Sequence, residues 1–263
     1  MKSFTILLLA MAWFSFLCGQ TFDAFERRTF QGAAGDTLPY RILYPENYKP
    51  GKQYPLVLFL HGAGERGFDN EKQLTHGARL FLNQQNRRKY PAIVVFPQCP
   101  ADDYWAHMIL REREGIRYRD FPIEETPKPA MGSVLQLLDE LLANASVDPD
   151  RVYLMGLSMG GMGTFELLAR RPEVFAAAVP ICGGGNPDSA PLYATRTAIR
   201  IFHGLRDDVV LPQYSALMYE AIRAAGGRVQ YKTFPNANHN SWDATFAEPD
   251  LLRWMFAERR VGR

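Results

Sequence analysis

Val152-Tyr153-Leu154-Met155-Gly156-Leu157-Ser158-Met159-Gly160-Gly161-Met162-Gly163 reads as three elements in succession. Residues 152–155 form a short apolar run of the kind that fills a buried parallel strand. From Met159 to Arg170, residues Met162, Phe165, Leu168 and Ala169 recur at helical spacing. Between them a serine sits in the pattern Gly-x-Ser-x-Gly. So abrupt a passage from strand to helix crowds any side chain beside its apex. Glycine at 156 and 160 lets the turn form, and the Ser158 hydroxyl then stands clear of the sheet, where it can act as a nucleophile. The pentapeptide alone is a weak signal. Strand, turn and helix in the required order give it weight.

The rest of the chain supports an α/β class. Strand candidates recur at 25–30, 38–44, 55–60, 93–96, 152–155, 176–181, 199–202 and 229–234, and helix candidates at 72–85, 131–143, 160–170, 214–225 and 244–257. Strands alternating with helices predict a mostly parallel sheet covered on both faces. The first two strands lack an intervening helix and are expected to form an antiparallel edge hairpin. Ser146-Val147-Asp148-Pro149-Asp150 reads as a turn feeding the serine strand. Residues 101–129 break the pattern: a long, charged, proline-bounded segment that contains Trp105, His107, Tyr118 and Phe121. It follows a strand end and is expected to overhang the reactive edge as a wall or partial lid.

Composition sets bounds. A chain of 263 residues with 47% hydrophobic content can build one large core, so 21–263 is expected to be a single catalytic domain. A net charge of +2 gives no ground for a nucleic-acid partner. The basic clusters Arg87-Arg88-Lys89, Arg111 to Arg119 and Arg259-Arg260 are mixed with acidic or polar neighbours and read as solvated surface. At the N-terminus, Lys2 precedes an apolar stretch over 4–17 and then Cys18-Gly19-Gln20, the layout of a secretory signal peptide over 1–20. The stretch is short for a membrane span. The expectation is a secreted or periplasmic protein. Lipidation at Cys18 is the alternative, although bulky Phe16 fits a lipobox poorly. Cys99 and Cys182 follow strands about three positions apart, so their ends lie roughly 14 Å apart, beyond disulfide reach. Two free, buried thiols are expected. No Cys/His cluster has metal-ligand spacing, so no metal and no cofactor are expected.

A serine nucleophile needs a base, and the base an orienting acid. His239, in the polar loop Asn236-Ala237-Asn238-His239-Asn240-Ser241-Trp242, follows the last strand and is the expected base. Asp207, in Phe202-His203-Gly204-Leu205-Arg206-Asp207-Asp208, is the expected acid, with Asp208 the alternative. His203 reads as a structural residue holding that turn. The oxyanion hole needs two backbone N–H groups. Met159, after the serine, supplies one. His61-Gly62-Ala63-Gly64 follows the apolar run 55–60 and supplies the other, from Ala63 or alternatively Gly64. His61 itself reads as structural.

These motifs have a recognisable resemblance. His61-Gly62-Ala63-Gly64-Glu65-Arg66-Gly67, Phe96-Pro97-Gln98-Cys99-Pro100, the stretch from Gly156 to Gly163, Val179-Pro180-Ile181-Cys182-Gly183-Gly184-Gly185, Phe202-His203-Gly204 with Asp207, and His239-Asn240-Ser241-Trp242-Asp243 occur in one order. From about Phe25 to about Met255 the chain resembles the secreted esterase or "predicted peptidase" group of the α/β-hydrolase superfamily. That group lies near the feruloyl and acetyl-xylan esterases of carbohydrate esterase family 1 and the phospholipase/carboxylesterase group. The resemblance implies an eight-stranded α/β-hydrolase sheet, a triad of Ser158, Asp207 and His239, and substrate contacts from Trp105 and Trp242 lining the cleft. It departs mainly over 104–125, which is richer in arginine. The implied activity is hydrolysis of carboxylic esters, of small molecules or of acylated or feruloylated carbohydrates. A serine peptidase of the same fold and a non-catalytic binding protein are the alternatives.

Overall fold

The apolar runs around Leu58 and Leu154 lie side by side at the centre of an eight-stranded sheet. The computed structural model describes residues 22–33 and 35–260. Its strands are β1 (Glu26–Gln31), β2 (Thr37–Leu43), β3 (Tyr54–Leu60), β4 (Ile93–Pro97), β5 (Ile109–Arg113), β6 (Ile116–Asp120), β7 (Val147–Leu157), β8 (Ala177–Ile181), β9 (Ala198–Gly204) and β10 (Val229–Phe234). Its helices are α1 (Ala78–Leu82), α2 (Gln84–Lys89), α3 (Pro129–Ala143), α4 (Met159–Arg170), α5 (Ala190–Tyr193), α6 (Pro212–Ala224), α7 (Trp242–Phe246) and α8 (Leu251–Ala257). The sheet runs β1-β2-β4-β3-β7-β8-β9-β10. β1 and β2 pair antiparallel, as do β2 and β4, and every pairing from β4 to β10 is parallel.

Side chains alternate across a strand, so each central strand feeds two cores. Leu56, Leu58 and Leu60 of β3, with Val152 and Leu154 of β7, pack against Leu137 and Leu138 of α3, Phe165 and Leu168 of α4, and Met218 of α6. Val57 and Phe59, with Tyr153 and Met155, face Ala78 and Phe81 of α1 and Leu251 and Met255 of α8. This places the parallel strand ends, and the loops that leave them, along one edge.

Several expected elements differ in detail. The helix expected over 72–85 is a 3-10 turn, Lys72–Leu74, then α1 and α2. Gly77 interrupts it at φ 83°, and the Asn83 side chain accepts from the Gln85 and Asn86 N–H groups to start α2. The helix expected over 244–257 is split into α7 and α8 around Pro249, which has no N–H to continue a helix. The turn expected at 146–150 lies mostly within β7, which runs 11 residues and carries an irregularity opposite Tyr54 and Leu56. Within 101–129, β5 and β6 form a hairpin of their own, outside the main sheet. Its Ile109, Leu110 and Ile116 are exposed. The hairpin is seated by Phe121, which packs with Met162, Val210 and Tyr214, and by the Arg119 N–H donating to the Tyr214 hydroxyl at 2.7 Å.

Cys99 and Cys182 are buried and unbridged. Among the described residues no helix is long and apolar enough to cross a membrane. The expected signal peptide at 1–20, with Cys18, lies outside the described residues. Truncating a central leucine tests the two-core arrangement: Leu58→Ala is expected to destabilise the protein by about 2–5 kcal/mol. A urea unfolding curve reads this directly, and a midpoint indistinguishable from wild type would contradict the packing described for β3.

Candidate active site

Ser158 sits at the apex between β7 and α4 with φ 54° and ψ −117°, a conformation that strains any residue bearing a Cβ. The backbone around it is packed so tightly that only glycine fits. A Cβ on Gly156 would strike the Gly160 carbonyl oxygen, and one on Gly160 would strike the Leu60 carbonyl oxygen at the end of β3. The Ser158 N–H donates to the Ile181 carbonyl at 2.9 Å, tying the apex to β8. The side chain is left half-buried at the sheet edge.

His239 reaches Ser158 from the loop after β10. Its Nε2 lies 2.9 Å from Ser158 Oγ, and its Nδ1 lies 2.7 Å from Asp207 Oδ2. The carboxylate can only accept at Nδ1, so Nδ1 carries the proton and Nε2 is left to accept from the serine hydroxyl. Asp207 comes from the loop after β9 and is buried, whereas Asp208 beside it is exposed. The buried carboxylate is saturated. Oδ1 accepts the N–H groups of Val209 (3.0 Å) and Val210 (2.9 Å), and Oδ2 accepts from both His239 and His203 (3.0 Å). Burial would raise its pKa, but the hydrogen bonds from His203, His239 and Val210 outweigh burial and hold it well below the usual carboxylate range.

His203 does more than fill the turn. Its Nε2 also faces the Val210 carbonyl at 2.8 Å, so Nε2 is the donor, bifurcated between carboxylate and carbonyl. Its Nδ1 meets Ser215 Oγ of α6 at 2.7 Å, and that hydroxyl lies 3.0 Å from the Gly183 carbonyl after β8. One fully buried imidazole thus joins the acid loop to β8 and α6. The sequence signal for this was present in the spacing His203-x-x-x-Asp207, but the shared oxygen was not readable from it.

The loop after β3 is fixed by a second buried histidine. His61 Nδ1 donates to the Gly62 carbonyl at 2.6 Å, and its Nε2 accepts the Cys99 N–H at 3.0 Å. The Gly62–Ala63 peptide is held by its oxygen, which directs the Ala63 N–H the opposite way. Ala63 opens a 3-10 turn and Met159 opens α4, so both N–H groups lack a partner within their own turns. Arg66 Nε donates to the Ala63 carbonyl, and its guanidinium lies over Tyr104 at 4.5 Å. Buried Gln98 accepts the Asn70 N–H and donates to the Glu65 carbonyl. The Phe96 to Pro100 motif is therefore the clamp on this loop.

Trp105 requires a correction. It was expected to line the cleft, but it has no exposed surface. Its indole N–H donates to the His61 carbonyl at 3.0 Å, and its ring packs edge-on against His61. It is a core residue under the loop, out of reach of any substrate. Trp242 is different: half-buried, it meets the His239 ring edge-on at 5.5 Å, and the His76 ring lies 5.0 Å from it. His76 was not singled out from the sequence, where nothing marks it.

Cys182, Asp207 and His239 place donor atoms within 4.8 Å of one another. Burial pushes the Cys182 thiol up to about 12, and His239 and Asp207 are already engaged with each other, so the donor set fits a proton relay better than a metal.

A mostly parallel eight-stranded sheet, helices on both faces, and a serine turn with an acid and a histidine on later loops make this an α/β hydrolase. Residues 48–248 match the phospholipase/carboxylesterase family, and the chain belongs to that family. A crystal structure of a thermostable esterase superposes with a TM-score of 0.80 at 33% identity, covering 90% of this chain and 64% of that one. The bifunctional acetylxylan esterase/xylanase of Neocallimastix patriciarum is 29% identical over 73% of the chain and 24% of its own length. A carboxylesterase of Arabidopsis thaliana is 24% identical over 70% of the chain and 82% of its own length. The chain thus spans about a quarter of the first of these two relatives and most of the second.

Burial lowers the pKa of His61 to about 4. Between that value and about 6.5 the unfolded chain binds a proton that the folded protein refuses, so stability rises with pH across this window. Wild type is expected to lose up to about 3 kcal/mol from this group between pH 7 and pH 4. Chemical denaturation of wild type and His61→Asn at both pH values checks this, since the variant lacks the titrating group and should lose less.

Proposed function

We propose that this chain is a secreted serine carboxylesterase working through an acyl-enzyme, with Ser158 as nucleophile, His239 as general base and acid, and Asp207 as the orienting acid. One observation carries the reading: the unbroken relay from Ser158 Oγ to His239 Nε2 (2.9 Å) and from His239 Nδ1 to Asp207 Oδ2 (2.7 Å). As Ser158 Oγ attacks the ester carbonyl carbon, its proton passes to His239 Nε2. Asp207 fixes the imidazole tautomer and stabilises the imidazolium. The carbonyl oxygen becomes an oxyanion held by the N–H groups of Met159 and Ala63. On collapse, the C–O bond to the alcohol breaks and His239 gives its proton to the departing oxygen. Water then attacks the acyl carbon, His239 takes a proton from it, and the acid leaves as Ser158 regains its hydrogen.

Membership of the phospholipase/carboxylesterase family favours an ester over an amide, and the acetylxylan esterase among the relatives favours acylated or feruloylated carbohydrate esters. Secretion rests on the layout of residues 1–20, followed by one catalytic domain over 21–263.

Nitrophenyl esters of increasing acyl length, with a feruloyl ester, test the reading. Wild type is expected to hydrolyse them, and Ser158→Ala to lose essentially all turnover. A folded wild type inactive on every ester would sink the esterase reading. The shared Asp207 oxygen gives a second expectation: His203→Leu removes one charge-assisted donor from the carboxylate and is expected to lower kcat roughly 10–100-fold with little change in KM. Steady-state kinetics on the best ester separates the two parameters.

A further inference from the structure

Glu65 ends the 3-10 turn Ala63–Glu65, two residues beyond the Ala63 N–H. Its side chain is only 13% exposed. Yet among the described residues its carboxylate receives no hydrogen bond. His76 Nε2 stands 3.8 Å away, too far for one. A carboxylate largely withdrawn from water without a donor is costly, and a bound donor would offset that cost.

The position of this acceptor indicates what it serves. A Cβ placed on Gly62 would meet Leu157 Cδ1 at 2.9 Å, Glu65 Oε2 at 3.0 Å and Ser158 Cβ at 3.6 Å, so carboxylate and nucleophile are near neighbours across Gly62. From Glu65 the contacts run on through side chains, by way of His76. His76 lies 5.0 Å from Trp242, Trp242 lies 5.5 Å from His239, and His239 reaches Ser158 at 2.9 Å. Glu65, His76, Trp242 and His239 thus form a continuous run of neighbours along one flank of Ser158. His239 hands its proton to the departing oxygen, so this flank takes the alcohol half of the ester.

Resting on the esterase reading above, we propose that this flank is a subsite for a hydroxylated alcohol, with Glu65 accepting hydrogen bonds from its hydroxyl groups and Trp242 providing a flat apolar wall. Hydroxyl donors satisfy the carboxylate, and the C–H face of a polyol or sugar packs on an indole. A bare alkyl alcohol leaves the carboxylate unpaired. Glu65 is therefore a specificity-determining residue, which selects the alcohol without taking part in proton transfer.

Three butanoate esters that differ only in the alcohol test this: propyl, 2,3-dihydroxypropyl and 2-(trimethylammonio)ethyl. Each is assayed with wild type, Glu65→Leu and Glu65→Gln. Glu65→Leu is expected to lower kcat/KM on the dihydroxypropyl ester about tenfold or more, and to leave the propyl ester within about twofold of wild type. Glu65→Gln, which keeps an acceptor oxygen, should recover part of the loss. An equal fall on all three esters would make Glu65 a support for its turn, and no fall would remove it from the subsite. A loss confined to the trimethylammonioethyl ester would mean the carboxylate selects charge. Each of these overturns the proposal. Propyl ester hydrolysis by wild type, and its loss in Ser158→Ala, tests the underlying esterase reading separately.

Discussion

Backbone touching backbone beneath Ser158 is the constraint on which the site depends. At Gly160 the start of α4 lies against the Leu60 carbonyl at the end of β3, and at Gly156 the end of β7 lies against Gly160. No side chain separates these three segments. The approach forces Ser158 into its strained conformation and delivers the Met159 N–H and the loop after β3 to the same edge. The strain is sustained because β3 and β7 are the buried centre of the sheet, with hydrophobic clusters packed on both faces. Stability of the cores and geometry of the site are therefore one property seen at two depths.

Loops carry every polar group at that edge, and loops need anchors. The chain uses buried polar side chains for this. His61 and Gln98 pin the loop after β3, and His203 pins the acid loop to β8 and α6. Each is satisfied on more than one side, which is the condition under which a buried polar group rigidifies rather than destabilises. Asp207 shows the same economy, with four donors on two oxygens fixing both its position and its charge.

The sheet was legible from the chain because its strands are apolar runs bounded by turn residues, and all eight expected strands occur. The serine turn was legible because only glycine satisfies its sterics. Helix ends were less so. Gly77 and Pro249 were visible as breakers, but their effect depends on what they pack against, such as Phe59 under Gly77. Trp105 was misplaced for a physical reason. Indoles suit both clefts and cores, and only the hydrogen bond to the His61 carbonyl shows which one this tryptophan serves. His76 carries no local pattern at all. It meets Trp242 across more than 160 positions of sequence, a contact that no spacing rule encodes.

The β5–β6 hairpin pairs with itself and stands outside the main sheet, seated through Phe121, Arg119 and a few partners. It contributes no strand to the framework that holds Ser158, His239 and Asp207. A segment joined to the whole through so small a root can be lengthened, shortened or rewritten over evolutionary time while the machinery beneath keeps its shape. Change in this exposed, arginine-rich hairpin is therefore inexpensive to the rest of the fold.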